Sequence, residues 1–501
     1  MSDTTRMLIG FVLIMLVLFL WQAFIPKRMP TPPSKTMPSQ ATLETTQTTI
    51  KTKDADYLMK DIKLQKTSSA TIAETIVVLE NNEMRLVFSS YGGSIKSVFL
   101  KKYAVELVPS QSLILETPIF IEQNEIGVHW SLKYQDDSTV TFQNFITKTY
   151  KLHPNYAITL KIDDTNYRQV SYPIIYASGL ALTEANPKDE LRHFMMFYQS
   201  ENKIKKLSAG KLKPTQLNNV LWVGLKSKYF TSIFAGQDSL GEVKVHPLSD
   251  GRIGYTYQPS GKYPDEYIIY FGPLEYDILK KFHRGWENVV DWGWTKSIGL
   301  IILRILKLLY ALFRNYGVAI IFFSVLMKLI FFPLSRMSMK QMRQMQLLQP
   351  KLEELKKKYK DDPQTLNRET MQLYRLYKIN PFSGCLPLIV QLPIFWALYS
   401  VLQKTIELRH AQFVFWIKDL SVKDPYYILP ILMGVSFLIQ NFLTSTDKKN
   451  MVLLIFMPIF LTVIFLNFPS GLQLYWLFFN ILSIVESLIG RGGIKWKKPV
   501  V

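Results

Sequence analysis

Apolar positions along this chain keep three different rhythms. Residues 7–25 form one apolar run of 19 residues, about 28 Å as a helix and close to the thickness of a bilayer's hydrocarbon layer. The run ends in Trp21-Gln22-Ala23-Phe24-Ile25-Pro26, which offers no small-x-small cleavage site, so an uncleaved anchor is expected rather than a signal peptide. Residues 26–54 follow, with prolines at 26, 30, 32, 33 and 38 among many serines and threonines. Such a stretch buries too little apolar surface to offset its ordering entropy and reads as a linker.

From 55 to 291 the period is two. Tyr156, Ile158, Leu160 and Ile162 alternate with Ala157, Thr159, Lys161 and Asp163, and 242–245 and 252–257 repeat the pattern. Gly92-Gly93 and Pro264-Asp265 punctuate the runs as turns. Many short strands with little helical periodicity predict one large antiparallel β-sandwich.

Beyond 291 the apolar segments reach membrane length. Over 295–315, Arg304, Lys307, Ala311 and Arg314 recur at helical spacing while Leu and Ile fill the other faces, predicting a helix along a membrane surface. Five spanning segments are expected at 316–334, 385–403, 426–443, 451–468 and 472–489, the last two joined by Pro469-Ser470-Gly471. Between the first two lies 335–380. There Met342, Met345, Leu348, Leu352, Leu355 and Tyr359 step by three or four, as do Leu366, Thr370, Leu373 and Tyr377 after Asp361-Asp362-Pro363. Asp362 caps the second run with Pro363 in its first turn. The prediction is a helical hairpin with one apolar seam and a basic exterior.

Charge then orients the chain. The formal net charge is +20 over 501 residues, which calls for anionic partners. Segment 335–380 carries eleven basic residues against five acidic ones. Lys448 and Lys449 against Asp447, and Arg491, Lys495, Lys497 and Lys498 in the tail 490–501, lie on the same side if the spans alternate. Residues 404–425 hold four basic against three acidic residues. Basic loops stay in the cytoplasm, so the hairpin and both termini are expected inside and the β domain outside. A basic hairpin suits anionic lipid, or docking of a ribosome, targeting factor or nascent chain; for the short tail, lipid contact is the expectation.

Candidate chemistry is sparse. Cys385 is the single cysteine and the six histidines are scattered, so neither a disulfide framework nor a metal site is expected. No phosphate-binding glycine loop, G-x-S-x-G or H-E-x-x-H motif occurs. No catalytic residue, cofactor or specific nucleic-acid partner is predicted. What stands out is Lys328, inside the apolar segment 316–334, where a basic side chain costs roughly 2.5–3.5 kcal/mol. Ser324 lies one turn away. Ser436, Gln440 and Thr444 form a second polar stripe; Gln473, Trp476, Asn480, Ser483 and Ser487 form a third; Gln391 sits between Pro387 and Pro393. Single polar residues in spans serve as helix-packing glue, and a lysine near a helix end can snorkel to the interface. Several stripes beside a cation favour a shared, cytoplasm-facing wet groove.

Five segments carry a family resemblance: Asn380-Pro-Phe-Ser-Gly-Cys-Leu-Pro-Leu-Ile-Val-Gln-Leu-Pro-Ile-Phe395, Asp424-Pro-Tyr-Tyr-Ile-Leu-Pro-Ile-Leu-Met-Gly434, Phe468-Pro-Ser-Gly-Leu-Gln-Leu-Tyr475, Leu347-Leu-Gln-Pro-Lys351 and Asp291-Trp-Gly-Trp294. Over nearly its whole length the chain resembles the YidC-type membrane protein insertases of the YidC/Oxa/Alb family, in the long Gram-negative form. The resemblance implies a bacterial inner-membrane protein with one anchor, a five-helix core, a periplasmic β-supersandwich and a cytoplasmic hairpin. It implies insertion and folding of nascent membrane proteins, alone or with the Sec translocon. It places Lys328 and Ser324 in a hydrophilic groove with Trp476, just after Tyr475, near it, and Leu392, Phe395, Leu461, Ile464 and Phe465 on an apolar slide; with the polar stripes added, the candidate groove residues are Lys328, Ser324, Gln391, Gln440, Gln473, Tyr475 and Trp476. Lys328 stands where the family usually has arginine, which keeps the charge and loses the planar fork. Rival readings are a small-solute transporter, which would show paired repeats around a midplane site, and a membrane-anchored carbohydrate-active enzyme built on the β domain.

Overall fold

A computed structural model describes residues 73–493 apart from 111, 116–118, 122–123, 128, 164–173, 177–178, 202, 259–264, 378, 381–385 and 445–450. The expected anchor 7–25 and linker 26–54, the Pro264 turn, Cys385, the basic pair 448–449 and the tail beyond 493 lie outside the described residues. The chain divides into two compact units whose sequence boundary falls between Val290 and Asp291.

The first unit is built from antiparallel sheets. Nine strands run in the spatial order Lys203–Ser208, Met195–Ser200, Val220–Lys226, Phe230–Leu240, Asp265–Pro273, Ala157–Asp163, Thr147–His153, Thr139–Gln143 and Ser131–Gln135. Two four-stranded sheets accompany it, one from Ile76–Glu80, Met84–Ser89, Ser94–Leu100 and Val105–Glu106, the other from Ile174–Tyr176, Ile253–Gln258, Glu242–Pro247 and Thr215–Leu217. Alternation decides which side chains go inward: Ile158, Leu160 and Ile162 are buried while Thr159 and Lys161 are half-exposed. Register sets Tyr150, Leu160 and Tyr267 opposite one another, on one face of the large sheet. Both smaller sheets pack on that face, Phe88 against Tyr150 at 4.9 Å between rings and Tyr257 against Tyr267 at 5.7 Å. These are the sheets of a β-sandwich.

Two turns deserve their residues. Tyr156 is expected to begin a strand, yet with Asn155 it adopts a left-handed conformation (φ 63° and 61°) and turns the chain, so the strand starts at Ala157. Its ring still reaches the core against Tyr270, which is why the alternation misleads. Gly92 and Gly93 also take positive φ, in the turn between Met84–Ser89 and Ser94–Leu100. Their carbonyls accept from the Lys148 ammonium at 3.3 Å and the Tyr150 hydroxyl at 2.8 Å, which ties the turn to the large sheet.

The second unit is helical: α1 Lys296–Phe313, α2 Tyr316–Lys358, α3 Pro363–Leu376, α4 Leu386–Lys404, α5 Ile428–Thr444, α6 Met451–Phe465 and α7 Ser470–Gly493. Helix α1 buries Gly299, Ile302, Leu303 and Leu306, and ends where Arg314 turns left-handed at φ 55°. Its charges do not line a purely polar outer face. Lys307 turns to an ion pair with Glu407 at 2.6 Å, while Ile301, Leu308 and Leu312 are exposed beside Arg304. Asn315 then caps α2, its side-chain oxygen accepting from the Val318 amide at 3.1 Å.

The sequence divides 316–380 into a span ending at 334 and a separate hairpin; the structure has one 43-residue helix running through Pro333 and Pro350. A proline removes one rung of the ladder and crowds the carbonyl four residues back. Helix-favouring residues without glycine follow each proline, so the helix resumes. Asp362 accepts from the Thr365 amide at 3.1 Å to start α3, which folds back on the end of α2. Leu348 and Leu352 are buried in that seam; Leu355, Leu366 and Leu373 are half-buried.

Among the described residues two helices are long and apolar enough to cross a membrane, α2 and the Ser470–Ile489 part of α7. Ile428–Thr444 and Leu454–Phe465 are apolar but shorter. The turn before α7 is fixed by its own side chains. The Gln473 amide donates to the carbonyls of Phe465 and Phe468 at 2.8 and 3.0 Å, closing the end of α6, and the Ser470 hydroxyl donates to the Asp419 carbonyl at 3.0 Å.

Candidate functional site

Helix α7 packs against α2 on one side and α5 on another, and its polar stripe runs along both contacts. Fully buried Ser324 on α2 donates to the Ile320 carbonyl at 2.9 Å and reaches the Tyr475 carbonyl at 3.3 Å. The Tyr475 hydroxyl accepts from the Gln391 amide of α4. Three helices are thereby joined at one level by Ser324, Gln391 and Tyr475.

One turn along α2, Lys328 points into the helical unit. Its ammonium donates to the Ser483 hydroxyl at 2.8 Å, lies over the Phe479 ring at 5.1 Å and forms an ion pair with Glu486 Oε2 at 2.7 Å. The same oxygen accepts from the Ser335 hydroxyl at 2.7 Å. The Lys328 and Glu486 side chains are only 11% and 10% exposed. Glu486 Oε1 is buried with no hydrogen-bond partner among the described residues. Taking either ion alone out of water costs several kcal/mol; each is tolerable here because the other stands within hydrogen-bond reach.

The other predicted groove residues divide by place. Asn480 of α7 donates to Ser436 of α5 at 3.1 Å, and Ser487 donates to the Ser483 carbonyl at 2.8 Å and contacts Met339. Gln440 is half-buried, its carbonyl accepting from Thr444 at 2.8 Å. Gln473 stands apart: it closes the α6–α7 turn, about 20 Å along the helix from Glu486 by helical rise. Trp476 faces an aromatic cluster, 5.5 Å from the rings of both Phe395 and Phe465.

That cluster holds two residues expected on the apolar slide. Phe395 and Phe465 are buried, Leu461 and Ile464 are half-buried, and Leu392 is 37% exposed. Of the five, Leu392 is the most open to an approaching helix. Beyond the ion pair, an open pocket is lined by Met339, Met342, Arg343, Gln346, Leu443, Thr444 and Ser487. No group of three or more His, Cys, Asp or Glu suited to a metal occurs among the described residues.

The residue that sequence reasoning missed is Glu486, with its neighbours Ser335 and Phe479. The signal was present. Glu486 is the single acidic residue between 451 and 489, and the rule that singles out an ionisable side chain in an apolar span applies to it as to Lys328.

Residues 308–496 match the family described as 60Kd inner membrane protein, and residues 121–305 match the family described as YidC periplasmic domain. A membrane protein insertase YidC of Geotalea daltonii is 34% identical over 84% of this chain and 87% of its own length. Another, of Geotalea uraniireducens, is 32% identical over 96% of this chain and 98% of its own. A crystal structure of an active YidC insertase with its first transmembrane domain resolved aligns over 83% of this chain and 93% of that one, at 20% identity and a TM-score of 0.41.

Proposed function

The chain belongs to the YidC family of membrane protein insertases, and from that membership we propose that it inserts and folds inner-membrane proteins through the polar track between α2 and α7. The observation that carries the reading is a lysine–glutamate pair and a ladder of hydroxyls and amides held inside otherwise apolar helices. A polar flank of a client chain can exchange hydrogen bonds with that ladder instead of meeting hydrocarbon. The client's apolar helix meanwhile leaves past Leu392 into lipid, and burial of about 20 apolar residues drives the step without a nucleotide. The relatives are named for insertion, not for catalysis, which fits a non-enzymatic role.

In this reading the α2–α3 hairpin and both termini are cytoplasmic and the β unit is periplasmic. The hairpin's basic exterior meets anionic lipid and the ribosome or a targeting factor, and the protein works alone or beside the Sec translocon. The test is insertion into liposomes of a single-span client with an acidic translocated tail. Lys328→Arg retains most activity, whereas Lys328→Glu, which sets two carboxylates together, lowers it roughly tenfold or more. Equal insertion by both variants would remove the electrostatic part of the proposal.

A further inference from the structure

We propose that Glu486 sets the client preference of the groove: it neutralises Lys328, so the site favours translocated segments that are polar and uncharged over acidic ones. The inference rests on the insertase reading and adds to it a substrate class and the residue that determines it.

The geometry is that of an occupied cation site. A client carboxylate docking on Lys328 would need a position near 2.7 Å from the ammonium, and Glu486 Oε2 already holds it, braced by Ser335. Ser483 and the Phe479 ring take two further sides of the same ammonium. An acidic client must displace a carboxylate like its own, and the displaced Glu486 carboxylate, nine-tenths buried, loses Lys328, the ion-pair partner it has among the described residues. Exchange therefore leaves one more negative charge in a site that water barely reaches, which is unfavourable.

A neutral segment faces no such exchange. Glu486 Oε1 lacks a donor, and a serine or threonine hydroxyl, an asparagine or glutamine amide or a backbone N–H that reaches this buried oxygen supplies one while Lys328 and Glu486 stay paired. The pair thus presents a dipole instead of a net charge, and selectivity follows from what it repels as much as from what it binds.

The full-length protein in liposomes is given two single-span clients identical except for the translocated tail, one of serine and asparagine, the other with three aspartates. The readout is the ratio of acidic-tail to neutral-tail insertion within each variant, so changes in overall activity cancel. Glu486→Gln leaves Lys328 unpaired and raises the ratio, by roughly fivefold or more. Lys328→Gln leaves the carboxylate unpaired and lowers it. Lys328→Gln with Glu486→Gln restores net neutrality and brings the ratio back to that of the unaltered protein. Should Glu486→Gln not accumulate, the Lys328→Gln and double variants still decide, because only a charge-balanced pair predicts recovery in the double. A ratio unmoved by the single changes, while the neutral client still inserts, overturns the role of Glu486 and spares the insertase reading. Failure of the unaltered protein to insert either client above protein-free liposomes overturns both.

Discussion

Asp424 shows how one side chain accounts for a stretch of sequence. Its carboxylate is fully buried, accepting from Trp416 Nε1 at 3.0 Å, from the Tyr426 amide at 3.0 Å and from the Leu429 amide at 2.8 Å. Those bonds set where α5 begins, so the Asp-Pro-Tyr-Tyr segment is a helix start with its cap at the front. Asp424→Ala orphans all three donors and is expected to cost on the order of 1.5–3 kcal/mol, with Asp424→Asn costing less because one acceptor oxygen remains. Thermal unfolding in detergent, followed by tryptophan fluorescence, distinguishes the two. Lys328 is legible because its charge contradicts its surroundings, and Glu486 contradicts them equally, three residues after Ser483 on the same helix; what the sequence withholds is that the two, far apart in the chain, meet between α2 and α7. Phe395 and Phe465 mark another boundary of legibility. A list of apolar residues does not say which face lipid and which face Trp476.

At the scale of elements, close helix approach explains where small residues stand. A side chain at Gly434 on α5 would overlap the Thr462 hydroxyl of α6, and that hydroxyl is fixed by donating to the Pro458 carbonyl at 2.7 Å. This is a threonine bonding back to the carbonyl four residues earlier, and it holds the hydroxyl in the path of any side chain added at Gly434. Gly434→Val is therefore expected to destabilise the helical unit by about 1–3 kcal/mol, and Thr462→Ala in the same protein to recover part of the loss, as a double-mutant cycle in thermal unfolding would measure. Periodicity marks the face on which α2 and α3 meet, where Leu348 and Leu352 are buried, because helical burial repeats every three or four residues. It does not show that span and hairpin share one helix, because the apolar run ends at 334 while the backbone stays helical through Pro333 and Pro350 to Lys358. In the sheets the same limit appears at Tyr156, whose buried ring mimics a strand position while its backbone makes a turn.

For the whole molecule, the change of period at 291 separates two units because strands need alternation and bilayer helices need length. What the sequence could not supply was the order of nine strands, which depends on pairings between segments far apart in the chain. Orientation is a claim about all the charges together. With Cys385 replaced by serine, a cysteine at Lys357 in the hairpin should react with a membrane-impermeant maleimide only in inverted vesicles, and one at Lys244 in the β unit only from the outer side. Reversed labelling would invert the topology. Helix α2 links the hairpin to the ion pair in a more direct way. Its 43 residues make a rod of about 65 Å, with Lys328 some 45 Å from Lys358 along the axis. Whatever grips the far end holds a lever on the ammonium, and Pro333, where one rung is missing, is the joint at which that leverage is either passed on or lost.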